Sequence, residues 1–197
     1  LGNFGDSLIT LTLDGLSQHD SIRVEFDLYI LDTWDGDYVG WEGPDYWSFL
    51  VDGNNVINTS FKNTTISGYY QCFPDNCPAN NTRQSGAFLT NLPSYGSCSG
   101  GGSESAMYQI QEAVIHSQSI TNLGFSASGL QCNWDDSNSG CDPNNPLCDE
   151  SWAIDNIKVY LNTTPIVCDS VATAIITITN STSNTTTLTE CDSYTWP

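Results

Sequence analysis

Hydrophobic and polar residues alternate along most of this chain with a period of two. In SLITLTLDGL, Ile9, Leu11 and Leu13 fall on one side and Leu8, Thr10 and Thr12 on the other. In SIRVEFDLYIL, Ile22, Val24, Phe26, Leu28 and Ile30 share a face. Successive side chains of a strand point to opposite faces, so each stretch predicts a half-buried strand. YWSFLVDGNNVINTSF predicts a hairpin turning at Asp52-Gly53-Asn54. LGFSASGL and WAIDNIKVYL predict two more strands. ESAMYQIQEAVIH reads two ways. Met107, Ile110 and Val114 have helical spacing, whereas Tyr108, Ile110, Glu112 and Val114 alternate as a strand. The strand agrees with its neighbours and is preferred. Many short strands joined by loops predict an all-β, jelly-roll-like β-sandwich.

Composition shifts after VYLNTTP, which divides the chain into a sandwich domain, 1–164, and a short β segment, 165–197. That segment is too small for an independent core without a staple. The staple expected is a bond between Cys168 and Cys191, which flank it. The other six cysteines form two clusters, Cys72, Cys77 and Cys98, then Cys132, Cys141 and Cys148. Three is odd, so at least one bond joins the clusters or two thiols stay free.

Charge narrows the function. Four Lys and Arg stand against 23 acids, a formal charge of −19. Phosphate recognition needs a basic footprint, so nucleic acid is disfavoured, as is an anionic membrane surface. No apolar run is long enough for a membrane-spanning helix. Asp outnumbers Glu by 17 to 6, which suits turns and short-armed oxygen ligation. Eight cysteines in so Lys-poor a chain point to an oxidising, extracellular or cell-surface setting. Six Asn-x-Ser/Thr sequons, at Asn58, Asn63, Asn80, Asn162, Asn180 and Asn184, are glycan acceptors if the source is eukaryotic.

SIRVEFDLYILDTWDG, GPDYW, LGFSASGLQ and DESWAIDNIKVYL together resemble a β-sandwich domain that recurs in large secreted and surface-anchored bacterial proteins. The resemblance covers roughly residues 1–161. It departs by inserting CNWDDSNSGCDPNNPLC and by opening late, as if a first strand were missing. CDSVATAIITITNSTSNTTTLTECDSYTW is similar to the first half of Ig-like repeats in giant Bacteroidetes adhesins. The resemblance thus implies a piece of a large surface adhesin, with an Ig-like C-terminal segment. Neither family lends a defined biochemical activity.

The chemistry concentrates in LDTWDGDYVGWEGPDYW, where carboxylates and large rings crowd together without a basic residue. Asp32, Asp35 and Asp37 can converge around Gly36, and Asp45 follows a Gly-Pro turn. On the last strand, Asp155 sits in phase with Ala153, Ile157, Val159 and Leu161 and is expected to point inward. A buried carboxylate is costly unless partnered, and four basic residues cannot partner many. A hard cation can, since calcium takes six to eight oxygens. The likeness to sandwich folds that carry a structural calcium near their terminal strands adds to this. One calcium ion (Ca2+) is expected on some of Asp27, Asp35, Asp45, Asp149 and Asp155, the alternative being that Asp27 and Asp155 cap backbone N–H groups. Asp136, Asn138, Gly140 and Asp142 form a second, weaker candidate, against a plain disulfide-stapled loop.

Trp34 and Trp47 are expected to plug the sandwich, while Trp41 and Trp134 are the candidates for stacking on sugar rings. His19 and His116 are expected at the surface. Enzyme signals are thin. Glu25-Phe26-Asp27 begins an E-x-D-x-x-E pattern, but residue 30 is Ile, and no nucleophile elbow occurs. Three functions stay open. The first is a non-catalytic, calcium-stabilised adhesin module that binds glycan or a neighbouring surface protein. The second is a filament or sheath subunit self-assembling through edge strands. The third is a glycan-active enzyme, with carboxylates facing across an open groove.

Overall fold

A computed structural model describes residues 1–40, 43–93, 105–131 and 149–163. Its described residues form nine strands and no helix: β1 Gly2–Phe4, β2 Leu8–Asp14, β3 Ser21–Asp32, β4 Tyr46–Val51, β5 Asn54–Ser60, β6 Leu89–Leu92, β7 Ser105–Ile115, β8 Ile120–Ser128 and β9 Glu150–Asn162. They make two antiparallel sheets, ordered β1-β9-β3-β7-β6 and β2-β8-β4-β5. The all-β sandwich expected from the alternation is what forms. ESAMYQIQEAVIH is the strand β7, with Tyr108 and Ile110 buried and Gln109 and Gln111 exposed. Two short strands were not read from the pattern, β1 and β6, because three or four residues cannot display a period.

The core lies between the sheets. Ile22, Val24, Phe26, Leu28 and Ile30 of β3 are all 2 % exposed or less. Trp47 and Phe49 of β4, with Leu123 and Phe125 of β8, face them from the other sheet. Phe26 packs its ring 5.2 Å from Phe125, 5.3 Å from Phe49 and 5.8 Å from Trp47. Each such side chain, fully buried, contributes roughly 1.5–3 kcal/mol. The β4–β5 turn is as read: Asp52 and Gly53 both have positive φ, the two-residue geometry that matches strand twist.

One expectation about β9 is corrected. Asp155 does not point into the core; it is exposed. The pairing of β9 with β3 slips between Glu25 and Asp27, and Asn156 takes a φ of +53°. This bulge adds a residue and reverses the phase. Trp152 and Ile154 face inward before it, and Ile157 and Val159 after it. Reading one unbroken alternation from Ala153 to Leu161 therefore put Asp155 on the wrong face.

Candidate metal centre

At one end of the sandwich β3 and β9 finish as partners, Asp32 opposite Glu150. The chain leaving β3 is tied down at once. Thr33 donates its N–H to the Asp149 carbonyl at 2.9 Å and its hydroxyl to the Asp149 carboxylate. Trp34, fully buried, donates its ring N–H to the Ser151 carbonyl at 2.8 Å, the plug expected of it. Gly36 then turns with φ +80°, and a Cβ there would lie 2.0 Å from the Tyr70 carbonyl oxygen. No other residue type fits so close an approach. Its own carbonyl accepts the Asp45 N–H at 2.8 Å, which brings Asp45 back beside Asp35. The Asp35 N–H in turn donates to Asp45 Oδ2 at 2.5 Å.

The result is a buried trio. Asp35, Asp45 and Glu150 each offer a carboxylate oxygen, and these oxygens lie within 4.8 Å of one another. Their exposures are 7 %, 0 % and 1 %. Glu150 Oε2 accepts the Gln131 N–H at 2.5 Å. Asp45 Oδ1, by contrast, is buried and meets no donor among the described residues. The Glu150 carboxylate stands beside it, the oxygens of the trio lying within 4.8 Å of one another. Two ionised carboxylates have no hydrogen to share, so a proton or a cation must lie between them. Burial pushes the Asp45 carboxyl well above the usual carboxylate range, and the charge of Asp35 adds to this. Burial raises Glu150 likewise, with the charge of Asp45 next.

The magnitude decides that the trio cannot stay bare. At an effective dielectric of about 20, charges 4.8 Å apart repel by about 3.5 kcal/mol, so three pairs cost about 10 kcal/mol. That rivals a whole domain's stability of roughly 5–15 kcal/mol. Lys62 bridges to Asp35 through the backbone but turns its ammonium to the carbonyls of Ile66 and Tyr69, at 2.6 and 2.8 Å. An all-oxygen, all-acidic donor set suits a hard divalent cation. Two ligands of one calcium ion are at most about 5 Å apart, twice its bond length, which the trio satisfies.

No family model, no curated protein and no solved structure matches this chain.

The five carboxylates expected around a metal fall in two places. Asp35 and Asp45 are in the trio, and Asp149 adjoins it, buried beside Glu150. Asp27 and Asp155 are register partners on the outer face of the five-stranded sheet, away from the trio's end of β3. Asp155 accepts the Asn156 N–H at 2.8 Å, as the capping alternative described. Glu150 was missed. The signal was present: Glu150, Trp152 and Ile154 alternate in phase, which places the Glu on the inward face.

Cys72 and Cys77 are joined by a disulfide. Cys98, Cys132, Cys141, Cys148, Cys168 and Cys191 lie outside the described residues, as do Trp41, Trp134, the loop Asp136 to Asp142, Asn180, Asn184 and the segment 165–197. Asn58, Asn80 and Asn162 are exposed. Asn63 is not a usable acceptor: it is 0 % exposed, and its amide donates to the Ile30 carbonyl at 3.0 Å. The histidines are not surface residues either. His19 and His116 are 2 % and 6 % exposed, 2.7 Å apart through Nε2 and Nδ1, and His116 Nε2 lies 3.1 Å from Asp52. Residues distant in sequence met here across two loops, which no local pattern announces.

Proposed function

We propose that this chain is a non-catalytic, extracellular β-sandwich module of a large surface adhesin, stiffened by a calcium ion held between Asp35, Asp45 and Glu150. The observation that carries the reading is Asp45 Oδ1, buried, without a donor among the described residues, in a trio with a second fully buried carboxyl, that of Glu150. A cation there ties the loop after β3 to the first residue of β9. The Cys72–Cys77 disulfide supports the oxidising setting. The WDG and DESWAIDN-type motifs that resemble the surface domain are the residues that build this end of the sandwich, which supports the adhesin context. Asp45 and Glu150 are enclosed, so they favour an ion over a saccharide substrate.

Calorimetric titration of chelator-treated protein with calcium tests it. One site is expected in the wild type, and none in Asp45→Asn or Glu150→Gln. A heatless titration of folded wild-type protein would end the calcium reading. A filament subunit is the second reading, favoured by the edge of β9: among the described residues β1 pairs with Trp152 and Ala153 alone, although β9 runs to Asn162. An unpaired edge invites another strand. Sizing across a dilution series should then reveal concentration-dependent oligomers, and a monomer at every concentration would remove it.

A further inference from the structure

The outer face of the five-stranded sheet carries a groove of about 430 Å³, floored by β7, β3 and β9 and lined by Glu25, Asp27, Gln109, Gln111, Asn156 and Lys158. That volume is within the roughly 300–1,000 Å³ of small-ligand sites. Register sets the side chains in two rows across the strands. Gln111, Glu25 and Lys158 form one, and Gln109, Asp27 and Asp155 form the next, joined by Asn156 from the bulge Asn156–Ile157. Each row alternates groups that donate with groups that accept.

The bulge has a purpose here. It turns Asn156 onto the groove, where its amide donates to Asp27 Oδ2 at 2.6 Å. Bulges recur where a side chain must be re-aimed beside a site. Arg23 lies 3.4 Å from Glu25 and 4.3 Å above the Tyr160 ring. Tyr29 follows Asp27 on the same face, one row further along β3. The groove is thus an amide and carboxylate ladder, with Tyr29 and the Arg23-covered Tyr160 one row beyond its two ends on the same sheet face.

Charge selects the class of ligand. The chain has only four basic residues against 23 acids, yet Arg23 and Lys158 both stand on this face. They nearly balance Glu25, Asp27 and Asp155. A nearly neutral island on so acidic a protein favours neither a polycation nor a polyanion. Both groove carboxylates are oriented by donors, Glu25 by Arg23 and Asp27 by Asn156, and are acceptors in each row. Closely spaced hydroxyls beside apolar C–H faces match such a ladder, the hydroxyls pairing with amides and carboxylates and the C–H faces with tyrosine.

We propose that this groove binds a neutral oligosaccharide chain laid across β7, β3 and β9. The proposal deepens the module reading by giving it a ligand face, and it does not depend on the cation. Native affinity electrophoresis tests it, with barley β-glucan and galactomannan as neutral probes and alginate as an acidic one. At least one neutral polymer should retard the wild type. The double variant Gln109→Ala/Gln111→Ala, on an exposed strand face, should bind at least tenfold more weakly with an unchanged melting temperature. Thr12→Ala, on the other sheet, should bind as wild type. Asp27→Ala gives a second reading of the same groove. Retardation by alginate alone, by none of the three, or equally in wild type and the Gln double variant would overturn the proposal. Loss of neutral retardation with calcium-dependent melting intact would remove the groove and leave the cation site standing.

Discussion

Glu150→Gln should make the metal-free protein more stable while abolishing its response to calcium. Without a cation, the buried trio must take up a proton or bear the repulsion. A free glutamate carboxyl has a pKa of 4.5, so holding Glu150 neutral at pH 7 spans two and a half pH units. At about 1.4 kcal/mol per unit, that costs the native state about 3 kcal/mol relative to the unfolded chain. The alternative, three ionised carboxylates, costs more, so this figure bounds the penalty. A glutamine keeps an oxygen for the Gln131 N–H and removes the penalty. For a domain of this size each kcal/mol moves the melting temperature by about 2–4 °C, so a rise of up to about 6–12 °C is expected in EGTA. Calcium at a hundredfold excess over its Kd should add about 2.7 kcal/mol to the wild type, about 5–11 °C, and almost nothing to the variant. Differential scanning calorimetry with calcium or EGTA reads all four values. A Glu150→Gln protein that melts below wild type in EGTA and still gains from calcium would refute the electrostatic reasoning.

Acidification should act in opposite senses with and without the ion. Asp45 and Glu150 have raised pKa values in the fold, so their protonated forms favour the native state at low pH and that contribution is lost as pH rises. The EGTA melting temperature should climb from pH 7 toward pH 5 while the calcium increment shrinks, and parallel curves would exclude a shared site. Gly36→Ala places a methyl 2.0 Å from the Tyr70 oxygen at φ +80°, and should cost more than about 1 kcal/mol and weaken calcium binding in a titration. Expression in a glycosylating host should leave Asn63 unmodified by peptide mass mapping, and Asn63→Ala should cost about 1–3 kcal/mol through the orphaned Ile30 carbonyl in a denaturant melt. Groove affinity for a neutral glycan should be equal in calcium and EGTA below the melting temperature, since the groove and the ion occupy different stretches of β9; a tenfold difference in Kd would show them coupled.

Strands long enough to repeat were legible from the sequence, and so was the hairpin at Asp52-Gly53, because one sheet face is buried and the period is two. Asp35 and Asp45 were both among the expected metal carboxylates, but the convergence read around Gly36 was that of Asp32, Asp35 and Asp37, and of these the trio holds Asp35 alone. What escaped was set by contacts between distant segments. Glu150 joins the trio only because β9 ends against β3, and the histidine pair forms only where two loops meet. Asn63 reads as an acceptor sequon, but Ile30 and Gln84 claim its amide from across the fold. A local triplet carries no information about burial.

The bulge at Asn156–Ile157 links the carboxylate trio at the start of β9 to the groove on the outer face. A strand in strict alternation from Glu150 to Asn162 would have to choose: Glu150, Trp152 and Ile154 inward, or Ile157 and Val159 inward. The sequence places hydrophobic residues in both phases, and one inserted residue reconciles them. Burying Glu150 at the start of β9 then needs a proton or a cation to offset its charge. Burying Ile157 and Val159 further along needs the phase reversal, and the residues spilled outward by that reversal are Asp155 and Asn156. The same irregularity that hides a carboxylate at the end of the sandwich therefore lays an amide across its outer face. Glu150 and Asp155 are five residues apart, about 17 Å along an extended strand. That separation is too great for direct contact, so the proposed ion and the proposed glycan would act on different stretches of the strand.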